Sequence, residues 1–150
     1  MTTPAWFERW VQVWPGHIAA GGPDGEEKAR AILDMFHPEG VYEDVAGNVS
    51  WSGEEELRGM FAMSYGWCPT LLHTPLHTQT DGRLYAIEWR MDGRGGGEFA
   101  GFPAHDKPFS VRGVSTGEAD ADGRIVRHSD YWNLMDWMAQ CGHVPPLGEL

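Results

Sequence analysis

Residues 127–133, RHSDYWN, follow a turn at Asp120-Ala121-Asp122-Gly123 and precede a short segment of helical composition. Read as a strand, the stretch sends His128, Asp130 and Trp132 to one face and Arg127, Ser129 and Tyr131 to the other. A carboxylate between an imidazole and an indole is an unusual choice for a face that is to be buried. Three readings follow: a surface acid paired with Arg127, a cap for the next helix, or a proton-transfer group inside a pocket. On the third reading, aromatic walls desolvate the acid, raise its pKa and make it usable as a general acid or base near neutrality.

Upstream, the period-two pattern continues. Strands are expected at 71–80 and 83–92 around the turn Asp81-Gly82, near 97–102 after the glycine-rich bend 93–97, and at 109–119 and 124–132. Residues 133–141 suit a closing helix. Before residue 70 the period changes. Trp6, Trp10 and Trp14 mark one face of a helix that Pro15-Gly16 ends, and a second helix is expected over 24–36. His37-Pro38-Glu39-Gly40 breaks that helix, and VYEDV, 41–45, reads as a short strand. Ser52 with Glu55 three residues on predicts a capping box opening a third helix to about Tyr65. Helices followed by an antiparallel meander predict a single α+β domain over 1–150, with helices on one face of a curved sheet and a ligand in its hollow.

Composition narrows the partners. With 22 acidic and 11 basic residues the formal charge is −11, which argues against nucleic acid and anionic membranes. No apolar run is long enough to span a bilayer, and the N-terminus lacks the pattern of a signal peptide. Two distant cysteines make neither a disulfide framework nor a zinc motif, so a cytoplasmic chain with reduced thiols is expected. Eight tryptophans supply core and also good walls for an apolar pocket.

The order of VYED, W-x-G, LYAIEWRMDG, G-F-P-x-x-D-K, V-x-G-V and DGRIVRHSDYWNL resembles the SnoaL-like polyketide cyclases. These belong to the nuclear transport factor 2-like superfamily, which also holds ketosteroid isomerase, scytalone dehydratase and limonene epoxide hydrolase. The resemblance runs from about residue 24 to 141. It implies a cone-shaped fold, a curved and mostly antiparallel sheet wrapped on N-terminal helices around an internal apolar pocket. It also implies a homodimer, a small-molecule substrate and no cofactor or metal.

Asp130 matches the last-strand aspartate that moves protons in the cyclase and epoxide hydrolase branches. On the 84–92 strand, Glu88, Arg90 and Asp92 share one face, and either Arg90-x-Asp92 or Glu88-x-Arg90 matches the hydrolase Arg-x-Asp pair. Such a cation between carboxylates would hold one of them protonated. Tyr42-x-Asp44 stands where the hydrolase branch has a Tyr and an Asn that hold water, with Asp44 a departure that cannot donate when ionised. His73 is a candidate base by resemblance to the dehydratases, though the acid partner on the first helix has only Glu8 to match it. His128 could orient Asp130 or relay its proton, and His105 could line the mouth. His73 and His77, about 13 Å apart on a strand, are too far apart to share a metal ion.

The expected function is therefore general acid–base catalysis, with Asp130 as principal acid or base and Glu88 and Arg90 setting its protonation. His73, His128 and Tyr42 would orient the substrate, and Asp44, Trp51, Trp67, Trp89, Trp132 and Phe102 would bind it. The reaction expected is cyclisation or isomerisation of a polyketide-like intermediate. Epoxide hydrolysis and a binding or dimerisation domain without chemistry are the alternatives.

Overall fold

The computed structural model describes residues 2–146 and Gly148. Helix α1 (Ala5–Val13) gives way to a 3-10 turn (Trp14–Gly16) and a short α2 (His17–Ala20). Pro15, expected to end the helix, sits instead at the start of the 3-10 turn, where its missing N–H breaks no bond. The chain therefore continues inward and buries His17 and Ile18. Next come α3 (Glu26–Leu33), β1 (Phe36–Asp44), β2 (Val49–Ser52) and α4 (Gly53–Trp67). The segment 37–40 lies inside β1 rather than in a loop, and a register irregularity between Phe36 and Val41 accommodates it.

The capping box at Ser52 does not form as expected. The Ser52 hydroxyl donates to the Gly40 carbonyl, while its backbone N–H donates to Glu56 at 2.6 Å rather than to Glu55. The long strands are β3 (Leu72–Thr80), β4 (Leu84–Arg94), β7 (Pro108–Ala119) and β8 (Ile125–Trp132). Between them, β5 (Glu98–Phe99) and β6 (Phe102–Pro103) form a small separate hairpin. Helix α5 (Leu134–Gln140) follows β8, and its cap is Asn133, whose side chain accepts from the Asp136 N–H. None of the described helices is long and apolar enough to cross a membrane.

The six-stranded sheet has the order β2-β1-β8-β7-β4-β3, antiparallel except where β1 and β8 run parallel. Its inner face carries Tyr85, Ile87, Trp89 and Met91 of β4, all buried, against the N-terminal helices. Phe7 meets Tyr85, Trp10 meets Phe36 and His128, and Trp14 meets Trp89 and His73. Burying each such ring stabilises the fold by about 1.5–3 kcal/mol relative to exposure, which holds the sheet curved over the helices. The result is the expected α+β cone.

Two glycines make room for the largest inner rings. In the β4–β7 register Trp89 lies opposite Gly113 and Tyr85 opposite Gly117. A Cβ at Gly117 would stand 2.2 Å from the Tyr85 ring and 2.5 Å from the Arg127 carbonyl. The second neighbour is backbone and cannot swing aside. Gly117→Ala is therefore expected to destabilise the protein by about 2–4 kcal/mol in urea unfolding. A loss below about 0.5 kcal/mol would show that the sheet relaxes around the methyl group.

Candidate active site

The inner face of the sheet, α2, α4 and the β5–β6 hairpin enclose a cavity of about 290 Å³. Strand pairing sets its floor. Because β8 lies between β1 and β7, Asp130 is in register with Asp44 on one side and Ser115 on the other. One step earlier, His128 stands between Tyr42 and Gly117.

Asp130 is 7% exposed and accepts three hydrogen bonds. The Tyr42 hydroxyl donates to Oδ2 at 2.6 Å, while the Ser115 hydroxyl (2.5 Å) and His128 Nε2 (2.9 Å) reach Oδ1. Each donor is held in turn: Trp14 Nε1 donates to the Tyr42 hydroxyl, Trp89 Nε1 to Ser115 Oγ, and His128 Nδ1 meets the Tyr85 hydroxyl at 2.7 Å. Burial pushes the Asp130 carboxyl up. The pull of His128 and the hydrogen bonds from His128, Ser115 and Tyr42 outweigh it and hold the group at about 2. The expected rise toward neutrality is thus reversed, because desolvation acts against three aimed donors. Asp130 is neither a cap nor a partner of Arg127, whose guanidinium donates to Ser129.

Asp44 takes the behaviour expected of Asp130. Its Oδ1 accepts the Gly47 N–H at 2.9 Å and the Trp132 indole N–H at 3.1 Å, leaving Oδ2 with only a longer share of the indole. Burial raises its pKa to about 6, and the neighbouring Asp130 charge adds to the rise against the hydrogen bonds that lower it. One carboxylate is locked as an anion while its neighbour can exchange a proton near neutrality.

Two imidazoles also line the cavity. His17 and His73 have ring centroids 4.8 Å apart, and both are buried. His17 Nδ1 lies 2.9 Å from the Trp14 carbonyl, which can only accept, so Nδ1 carries the proton and neutral His17 presents a bare Nε2. Burial lowers the His17 pKa, with the Asp130 charge opposing. Burial also places His73 well below its ordinary value, and its Nδ1 has no hydrogen-bond partner among the described residues.

Of the residues expected at the site, Tyr42, Asp44, His73, Asp130, Trp51, Trp67, Trp89 and Trp132 line the cavity. His128 supports Asp130 from the core and is fully buried. Glu88 and Arg90 are not with them. They occupy the outer face of β4, where Glu88 pairs with Arg112 and Arg90 with Asp92. Alternation forces a choice between burying Tyr85, Ile87, Trp89 and Met91 or burying three charges, and the apolar set wins by many kcal/mol. Phe102 is also displaced: it is 41% exposed and packs on His143, while Phe99 lines the cavity. His105 lies on an exposed loop beside His143 and does not line the cavity.

Sequence reading missed His17, Ser115 and Phe99. His17 carried a usable signal, since a Pro after a tryptophan-rich helix is as compatible with a 3-10 continuation as with an end. Ser115 carried none, because only the β7–β8 register brings it to Asp130. Among the described residues, no group of three or more His, Cys, Asp or Glu side chains is placed to hold a metal ion.

Several solved structures share this architecture. A protein assigned as a SnoaL-like polyketide cyclase from Jannaschia sp. CCS1 superposes with a TM-score of 0.78 at 17% identity, covering 97% of this chain and 99% of that one. TsrD from Streptomyces laurentii gives 0.77 at 21% identity over 96% and 100%. A protein with a ketosteroid isomerase-like fold from Catenulispora acidiphila, in complex with trimethylamine, gives 0.71 at 23% identity over 94% and 95%. At these identities the likeness is one of fold. No curated protein matches the sequence. The SnoaL-like domain family matches residues 8–128, more than half of the chain, and the chain belongs to that family.

Proposed function

We propose that the cavity carries out acid–base chemistry with its own side chains on a largely apolar, oxygenated small molecule. The reaction is ring closure or isomerisation of a polyketide-like intermediate; the Jannaschia neighbour is assigned as a polyketide cyclase. The observation that carries this reading is that one aromatic cavity is lined both by Asp44, an acid at about 6, and by His17 with its bare Nε2. A carbon-bound proton moves to His17 Nε2, and Asp44 Oδ2 protonates the carbonyl oxygen that gains charge. Asp130, as a fixed anion, stabilises the imidazolium that forms, and its charge already raises the His17 pKa. Tyr42 and His128 position Asp130, and His73 lines the cavity beside His17.

Epoxide hydrolysis has less support. The inward positions of β4 hold Ile87 and Trp89, so no guanidinium–carboxylate pair on that strand reaches the cavity.

The test is mass spectrometry after incubation with a panel of apolar ketones and polyketide-like esters, in light and in heavy water. Products of unchanged mass in light water, with deuterium uptake at exchangeable carbons in heavy water, are expected. A product that has gained one water, or no deuterium uptake from any substrate, would overturn the reading.

A further inference from the structure

The charged side chains that line the cavity are all acidic. No lysine or arginine is among its described lining residues. On the sheet wall Asp130 is held as an anion, Asp44 lies next to it in register, and Glu98 lines the cavity from the hairpin. His128 meets Asp130 from the core side at 2.9 Å and does not line the cavity. The two imidazoles that do, His17 and His73, are driven toward the neutral form by burial.

Indoles and a phenyl ring make up much of the remaining wall. Trp67, Phe99 and Trp132 form one cluster, with Phe99 5.4 Å from Trp67 and 5.2 Å from Trp132. The Trp132 N–H donates to Asp44, which draws positive charge to that edge and leaves the ring face more negative. Aromatic faces beside a carboxylate attract cations, most strongly where water is excluded.

We propose that this cavity takes a small apolar molecule bearing a protonated or quaternary nitrogen, seated among the lining indoles and against the Asp44–Asp130 wall. A carboxylate ligand would meet the acidic wall with no lysine or arginine in the cavity lining to offset it, while a cation is attracted to that wall at every position the cavity offers. The formal charge of −11 draws cations toward the mouth at long range. The inference rests on the acid–base reading in one respect: it adds a basic nitrogen to that substrate. A carbon next to a cationic nitrogen is a stronger acid, which suits a base that burial has weakened.

Calorimetric titration with three ligands of nearly one shape tests this by binding alone. They are (2-hydroxyethyl)trimethylammonium, its neutral isostere 3,3-dimethylbutan-1-ol, and the anion 3,3-dimethylbutanoate. The ammonium is expected to bind about tenfold or more tighter than the alcohol, with the carboxylate weakest. Asp130→Asn and Trp132→Leu are each expected to cut that preference severalfold. If Asp130→Asn does not fold, the half-buried Trp132 supplies the decisive variant. Equal binding of ammonium and alcohol, an unchanged preference in Trp132→Leu, or no ammonium binding at millimolar concentration would overturn the proposal. Ammonium preference with no proton exchange on any substrate would remove the acid–base reading and leave this one standing.

Discussion

Asp44→Asn is expected to lower kcat by about 10²–10⁴-fold while making the protein more stable at pH 7. Asparagine keeps Oδ1 where the Gly47 N–H and the Trp132 indole need an acceptor, so the local structure survives. What it loses is the proton at Oδ2. The folded pKa of Asp44, about 6, lies above the unfolded value near 3.8, so ionisation opposes folding. That cost is absent below about pH 4, accrues as pH rises through 6, and reaches about 2–3 kcal/mol at neutrality. Urea unfolding should therefore show the variant ahead of the parent at pH 7 and level with it near pH 4. In the parent, kcat should fall with rising pH above about 6 as Asp44 loses its proton, and that limb should vanish in the variant. A variant that keeps the parent's rate would remove Asp44 from the mechanism.

Asp130→Ala is expected to show the opposite stability effect. The truncation leaves Tyr42, Ser115 and His128 aimed at a void, and losing one partner of such a buried charged network costs about 3–5 kcal/mol. That is a large share of the roughly 5–15 kcal/mol that holds a domain folded. The sign with pH differs from Asp44. The folded pKa of about 2 lies below the unfolded value, so the carboxylate's contribution is fully present above about pH 4 and lost as pH falls toward 2. Parent and Asp130→Asn unfolding curves should converge over that range, the parent losing about 2–3 kcal/mol that the variant never had. A gap that does not narrow on acidification would mean that Asp130 is not held ionised.

These two aspartates also show how far residue patterns carry. Alternation in 127–133 places His128 and Asp130 on one face, and the structure keeps them together. The pKa of Asp130 lay beyond that pattern, because it depends on Ser115 and Tyr42, which are 15 and 88 residues away in sequence. The same separation hid the neighbour relation between Asp44 and Asp130, which exists only because β1 and β8 pair in parallel. Glu88 and Arg90 teach a different lesson. The apolar set Tyr85, Ile87, Trp89 and Met91 on the same strand was already the stronger claim on the interior, and hydrophobic burial alone argues the charged face outward.

The sequence by itself determined the order of helices and long strands, the α+β class and the aromatic stock of the cavity. These follow from local periodicity and burial, which act within each segment. Tertiary structure decided which acid is an anion and which can hold a proton near neutrality. It also brought His17 inward through a 3-10 turn. Electrostatics and hydrogen bonds between distant strands set those outcomes, and they depend on ångström-scale register that no single segment encodes.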